Sequence, residues 1–148
     1  MEIRVLPYKP WHYFAIDRRK YDLEAYEATA DPEKASKVFC NGPAYTVFIN
    51  EEILLCMGIM KLWRGVGELW LITSPLVDKY PILTVKICKQ YLRDTIRNIG
   101  FVRVQAIVRT DYDTGQRWAE MFGFKCEGEM KKYHGGMDFY RYALVRED

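Results

Sequence analysis

The chain has 148 residues, 49% hydrophobic and 28% charged, with a formal net charge of +2. That length and balance suit one soluble globular domain, residues 1–148, with a sizeable core. They exclude a membrane span, because no apolar run approaches the ~20 residues one needs. They also argue against a dedicated nucleic-acid binder, because no long Lys/Arg run stands out.

Residues 3–6 read as a short opening strand closed by the prolines at 7 and 10. From 11 to 30, Tyr13, Phe14, Tyr21, Leu23, Ala25 and Tyr26 recur at roughly helical spacing, which predicts one or two helices with any break near 17–20. Asp31 and Pro32 predict the next helix start, one as cap and the other at the first helical position; Cys40-Asn41-Gly42-Pro43 predicts its end. Residues 44–49, 53–63 and 67–73 read as a three-stranded meander, turning at Asn50-Glu51-Glu52 and Arg64-Gly65-Val66. Gly58, inside an apolar run, marks a bulge or a close backbone approach.

Residues 81–99 predict a long helix. Pro81 suits its first turn, Val85, Cys88, Leu92, Ile96 and Ile99 trace an apolar stripe, and Gly100 stops it. Residues 101–107 follow as a half-buried strand with Val102, Val104 and Ala106 alternating. In Asp111-Tyr112-Asp113-Thr114 the Asp and Thr side chains are good N-caps for a short helix carrying Trp118, Met121 and Phe122 and ended by Gly123. Residues 124–133 and 137–145 are two further strands. They are joined across His134-Gly135-Gly136, whose adjacent glycines can take the positive φ of a hairpin turn.

The cysteines, Cys40, Cys56, Cys88 and Cys126, never form a CxxC pair. Cys56 and Cys88 lie in apolar surroundings and read as small buried hydrophobes suited to a reducing compartment. That spacing, with His12 and His134 as the histidines, predicts no metal site. His134 is expected on an exposed turn, and His12, set among aromatics, in a structural role. Eleven Tyr and four Trp fit either dense core packing or an aromatic-lined cleft or partner surface, and they leave room for a homo-oligomer.

Taken together, the order of elements resembles the GNAT superfamily of N-acetyltransferases over nearly the whole chain. The helix ending in Gly123-Phe124 and leading into the next strand resembles that family's C-terminal half, and Asp138-Phe139-Tyr140-Arg141-Tyr142-Ala143 is similar to its last strand. The resemblance implies an α/β (α+β) fold: a mixed, mostly antiparallel central sheet of about seven strands flanked by about four helices. It also implies a cofactor cleft between the fourth and fifth strands, and transfer of an acetyl group from acetyl-CoA to an amine on a small molecule or a protein.

Such a transfer needs amide donors for the cofactor's pyrophosphate, a base for the amine, and a proton for the departing thiolate. GNAT enzymes usually supply the donors from a Q/R-x-x-G-x-G/A loop before the long helix. Here that place holds Ser74-Pro75-Leu76-Val77-Asp78-Lys79-Tyr80-Pro81-Ile82, with no glycine. Pro81 removes an amide, and Asp78 would repel a phosphate. Lys79 and the amides of Ile82, Leu83 and Thr84 are the remaining donors, with Ile72 and Thr73 at the end of the fourth strand completing the expected cofactor contacts. A plain strand-to-helix connection is the competing reading.

Glu68 stands where several GNAT enzymes carry a catalytic carboxylate, although a lone Glu on a strand is more often simply solvated. The general-acid tyrosine common in the family, five positions before the phenylalanine, is Ala119 here; Tyr112, one loop earlier, is the candidate substitute. Two functions follow. One is an acetyl-CoA-dependent N-acetyltransferase of unassigned acceptor. The other is a catalytically inactive GNAT-fold module for protein binding or assembly. Leu71-Ile72-Thr73-Ser74 and the missing glycines resemble short, atypical GNAT-like proteins encoded by tailed bacteriophages. With no signal-peptide pattern at Met1-Glu2-Ile3-Arg4, the expected location is the cytoplasm, or the host cytoplasm for a phage-encoded protein.

Overall fold

In a computed structural model, which describes residues 1–18 and 31–147, seven strands form one mixed sheet in the order β1-β2-β3-β4-β5-β7-β6. The strands are β1 (Ile3–Pro7), β2 (Ala44–Ile49), β3 (Glu52–Trp63), β4 (Val66–Thr73), β5 (Arg103–Arg109), β6 (Lys125–His134) and β7 (Met137–Val145). Among the described residues there are five helices: α1 (Pro10–Ala15), α2 (Pro32–Val38), α3 (Leu76–Lys79), α4 (Pro81–Ile99) and α5 (Asp113–Met121). The expected α/β architecture is therefore present, with the single turn α3 as an addition. The expected second half of the first helical region, and its break near 17–20, fall mostly on residues outside those described.

The chain divides into two compact units, and β3 and β4 each contribute to both. The first comprises Met1–Met60 and Leu69–Pro81. Its interior is aromatic: Trp70 stacks on Phe39 with centroids 4.0 Å apart, and Tyr8 meets both ring edges. Tyr13, Phe48, Ile53 and Ile72 pack into the same cluster. Of the aromatics counted by composition, Tyr8, Tyr13 and Trp70 are core here, whereas Trp11 is exposed. α2 starts as the sequence predicts, with Asp31 Oδ1 accepting the Glu33 N–H at 3.0 Å and Pro32 at the first position.

Gly58 is a close approach rather than a bulge. A Cβ there would lie 2.7 Å from both the Ala44 Cβ and the Pro43 carbonyl oxygen and 2.8 Å from Trp70 Nε1. The irregularity in this part of the sheet falls instead at Leu54 of β3, the extra residue opposite Val47 and Phe48 of β2. His12 is buried as expected of a structural residue. Its Nδ1 accepts the Lys9 N–H at 3.0 Å, which leaves the neutral ring's proton on Nε2, and burial pushes its pKa down.

The second unit comprises Lys61–Glu68 and Ile82–Asp148. β5 pairs antiparallel with β7, and β7 with β6 across the Gly135-Gly136 turn, both glycines having positive φ as predicted. α4 has the predicted bounds and buries Cys88 and Leu92, but Ile99, expected on its apolar stripe, is 48% exposed. Cys56 in the first unit is likewise buried; burial pushes both thiols up to about 12.

Three local expectations are corrected. β5 begins two residues later than predicted, because the Phe101 N–H closes the end of α4 on the Ile96 carbonyl and the Val102 N–H goes to Gly65. Val102 is accordingly exposed rather than half-buried. α5 has no side-chain N-cap: Tyr112 occupies that position, and the Asp111 carboxylate pairs with Arg109 instead. Met121, expected on the apolar face of α5, is exposed.

Candidate functional site

Glu68 is the last residue of β4 in a short parallel ladder with β5, which runs from Val66↔Arg103 to Glu68↔Gln105. Pairing puts Glu68 and Gln105 side by side on one face. Ala143 lies opposite Gln105 on β7, and alternation adds Arg103 and Arg141 to that face. Gln105 Nε2 donates to Glu68 Oε1 at 3.4 Å, and Arg103 Nε donates to Gln105 Oε1 at 3.3 Å. Arg103 also forks onto the Glu127 carboxylate, whose pKa this holds down.

The result is a chain of polar side chains from three strands, with Glu68 at its inner end. Glu68 is half-buried, and burial raises its pKa above the ordinary 4.5; the Gln105 hydrogen bond and the nearby Arg141 charge act in the opposite sense. Arg141 Nε is itself buried and has no hydrogen-bond acceptor among the described residues. A carboxylate in such surroundings holds a proton more firmly than an exposed one, as a general base requires.

Gln105, Arg103 and Arg141 were not foreseen. Their part depends on pairing between strands distant in the sequence, Glu68 and Gln105 being 37 residues apart, and the only signal was the polar alternation Arg103-x-Gln105.

Tyr112 stands at the N-terminus of α5, with its ring over Gly115, where an added Cβ would lie 2.6 Å from Tyr112 Cδ2. Ala119 is buried on the same helix and offers no proton. Ile72 and Thr73, at the end of β4 in the first unit, are both buried; Ile72 belongs to the aromatic core, so only its backbone could meet a ligand.

The connection 74–80, also in the first unit, is folded on itself. The Ser74 N–H and hydroxyl both donate to the Leu54 carbonyl at 3.0 Å. The N–H groups of Leu76, Val77, Asp78 and Tyr80 find acceptors on Ser74 Oγ, Ser74 O, Pro75 O and Leu76 O. These four amides cannot cradle a phosphate. Lys79, at the end of that turn, lines a groove of about 680 Å³ together with Arg4, Trp11, Phe48 and Glu52.

In the second unit, the first turn of α4 is open, with Ile82 84% exposed, Leu83 half-buried and Thr84 buried. Helix geometry leaves the Ile82 and Leu83 N–H groups without an intrahelical acceptor at the positive end of a 19-residue dipole. That end fits a phosphate group. Among the described residues there is no cluster of metal-ligating side chains, and no helix is long and apolar enough to cross a membrane.

By sequence, no protein-family model and no curated protein matches the chain. By structure it is similar to acetyltransferases. A ribosomal-protein-S5-alanine acetyltransferase from Vibrio fischeri is 14% identical and superposes with a TM-score of 0.78 over 100% of this chain and 95% of its own. A GNAT-family acetyltransferase from Bacillus anthracis is 16% identical with a TM-score of 0.75, covering 98% and 95%. A spermidine N-acetyltransferase chimera from Vibrio cholerae is 9% identical with a TM-score of 0.77, covering 98% and 96%. The chain therefore has the GNAT fold. These structures bear on the fold and leave a phage origin unsupported.

Proposed function

We propose that the protein is an N-acetyltransferase of the GNAT type, taking its acyl group from acetyl-CoA, with Glu68 as the base towards the acceptor amine. The observation that carries this reading is the half-buried Glu68 carboxylate at the end of the β4–β5 ladder, tied to Gln105 and near the Arg141 charge. Acetyl-CoA supplies the activated acetyl group. The Ile82 and Leu83 N–H groups bind a phosphate oxygen, Glu68 takes the proton from the amine, and Gln105 holds the Glu68 carboxylate in place. Thr84 can contribute through its backbone. No residue of α5 is assigned to the leaving thiolate, since Ala119 carries no proton. The acceptor is an amine on a small molecule or a protein, and four free cysteines suit the reducing cytoplasm.

One observation favours the second reading, a GNAT fold serving as a binding or assembly module without catalysis. The amides of Leu76, Val77, Asp78 and Tyr80, which a glycine loop would offer to phosphate, are consumed internally. Calorimetric titration with acetyl-CoA and, separately, CoA decides between the two. Saturable binding supports the enzyme. No heat and no thermal shift at high ligand concentration would sink it in favour of the assembly module.

A further inference from the structure

The second unit carries a groove of about 450 Å³ that the proposed acetyl transfer does not use. Its floor is apolar: Leu92 and Ile96 from α4, Phe101 and Val104 at the start of β5, Phe122 after α5, and Leu144 near the end of β7. Its rim is cationic. Lys89, Arg93 and Arg97 recur at i, i+4 and i+8 on α4, so they stand in one row beside Leu92 and Ile96. Arg146 closes the other side, anchored by its N–H to the Val102 carbonyl at 2.9 Å. No Asp or Glu is among the residues lining it.

Like charges four apart on a helix repel each other. Arg97 is relieved by Asp94 at 3.0 Å. Lys89 and Arg93 are exposed and have no ion pair among the described residues. Two uncompensated cations thus overhang an apolar floor. A hydrophilic anion would leave the floor unused, a neutral apolar molecule would leave the rim unpaired, and a cationic amphiphile would be repelled. The volume lies within the range of small-molecule sites.

We infer that this groove binds a small amphiphilic anion: a carboxylate or sulfonate head held by Lys89 and Arg93, with an aliphatic or aromatic body laid over Leu92, Ile96 and Phe122. The inference is independent of acetyl-CoA binding.

The test uses the full chain with the dye 8-anilinonaphthalene-1-sulfonate as probe and decanoate, decylammonium and acetate as competitors. Decanoate is expected to displace the dye, while decylammonium and acetate are not. The exposed double variant Lys89→Glu/Arg93→Glu is expected to weaken dye and decanoate binding at least tenfold with its melting temperature unchanged. Arg93→Gln, a milder change, is expected to weaken both severalfold. Absence of saturable binding, displacement by decylammonium as effective as by decanoate, or affinity indifferent to both variants would overturn the assignment. Displacement by an acidic amphipathic peptide where decanoate fails would also overturn it, and would reassign the groove to a protein partner.

Discussion

Two residues of β4, two positions apart, stand for two kinds of construction in this molecule. Trp70, in the first unit, is 2% exposed and held by shape: Phe39 stacks on its ring, Tyr8 meets it edge-on, and the backbone of β3 comes close at Gly58. Glu68, in the second unit, is half-buried and held by a hydrogen bond from Gln105, with the Arg141 charge nearby. Packing of the first kind tolerates no change of volume, because interiors are close-packed. A polar face of the second kind tolerates changes of shape but not of protonation. Stability should therefore reside mainly around Trp70, and chemistry around Glu68.

The sharpest way to break that division is Glu68→Gln. Its kcat/KM for acetyl transfer is expected to fall by about 10²–10⁴-fold, the usual contribution of a general base, in a steady-state assay with any accepted amine. The variant should fold at least as well as the parent. Burial disfavours the ionised carboxylate, so the native chain carries a penalty that is absent below pH 4.5 and grows as pH rises through the raised native value. Melting curves should show Glu68→Gln gaining on the parent between pH 4 and pH 7. The acid limb of the parent's pH–rate profile should lie above 4.5. A variant that loses stability and keeps its rate would reverse the two roles.

Trp70→Ala is next. Removing a fully buried indole should cost about 3–5 kcal/mol in denaturant unfolding. Trp70→Phe should cost much less, because Nε1 has no hydrogen-bond acceptor among the described residues to lose. Gly58→Ala follows at about 1–3 kcal/mol, the cost of overpacking. Its new methyl meets a backbone carbonyl, Pro43 O, that is itself fixed by the Ile59 N–H at 2.9 Å.

The smallest effect belongs to the outer end of the polar chain. Arg103 and Glu127 are 27% and 40% exposed, so Glu127→Gln should cost about 0.5 kcal/mol and shrink further in added salt. A cost comparable to Gly58→Ala would show that the polar face is a structural element in its own right.

Much of this architecture is legible in the chain because it depends on local rules. Pro81 and Gly100 bracket α4, since one lacks an N–H where none is needed and the other takes φ +87 where other residues resist it. Gly135 and Gly136 mark the hairpin for the same steric reason, and Asp31-Pro32 marks α2. Where local rules compete, the tertiary structure decides. Phe101 and Val102 have strand-forming side chains, but their amides are taken by Ile96 and Gly65. Asp111 has the chemistry of a cap and gives its carboxylate to Arg109.

The candidate site divides along the same line. Sequence alone determined that a carboxylate stands at position 68, that no glycine loop precedes α4, and that position 119 holds no acid, because these are questions of residue identity. Only the tertiary structure decided that Glu68 meets Gln105 across a three-residue ladder, that Arg141 comes near enough to act on it, and that the connection 74–80 satisfies its own amides. Likewise, Lys89 and Arg93 are ordinary surface cations in the sequence, and become the rim of a groove once Phe101, Phe122 and Leu144 are folded beneath them. The physical reason is range. Capping, turn and helix signals act over a few residues, whereas burial and electrostatic environment are set by neighbours tens of residues away in the chain.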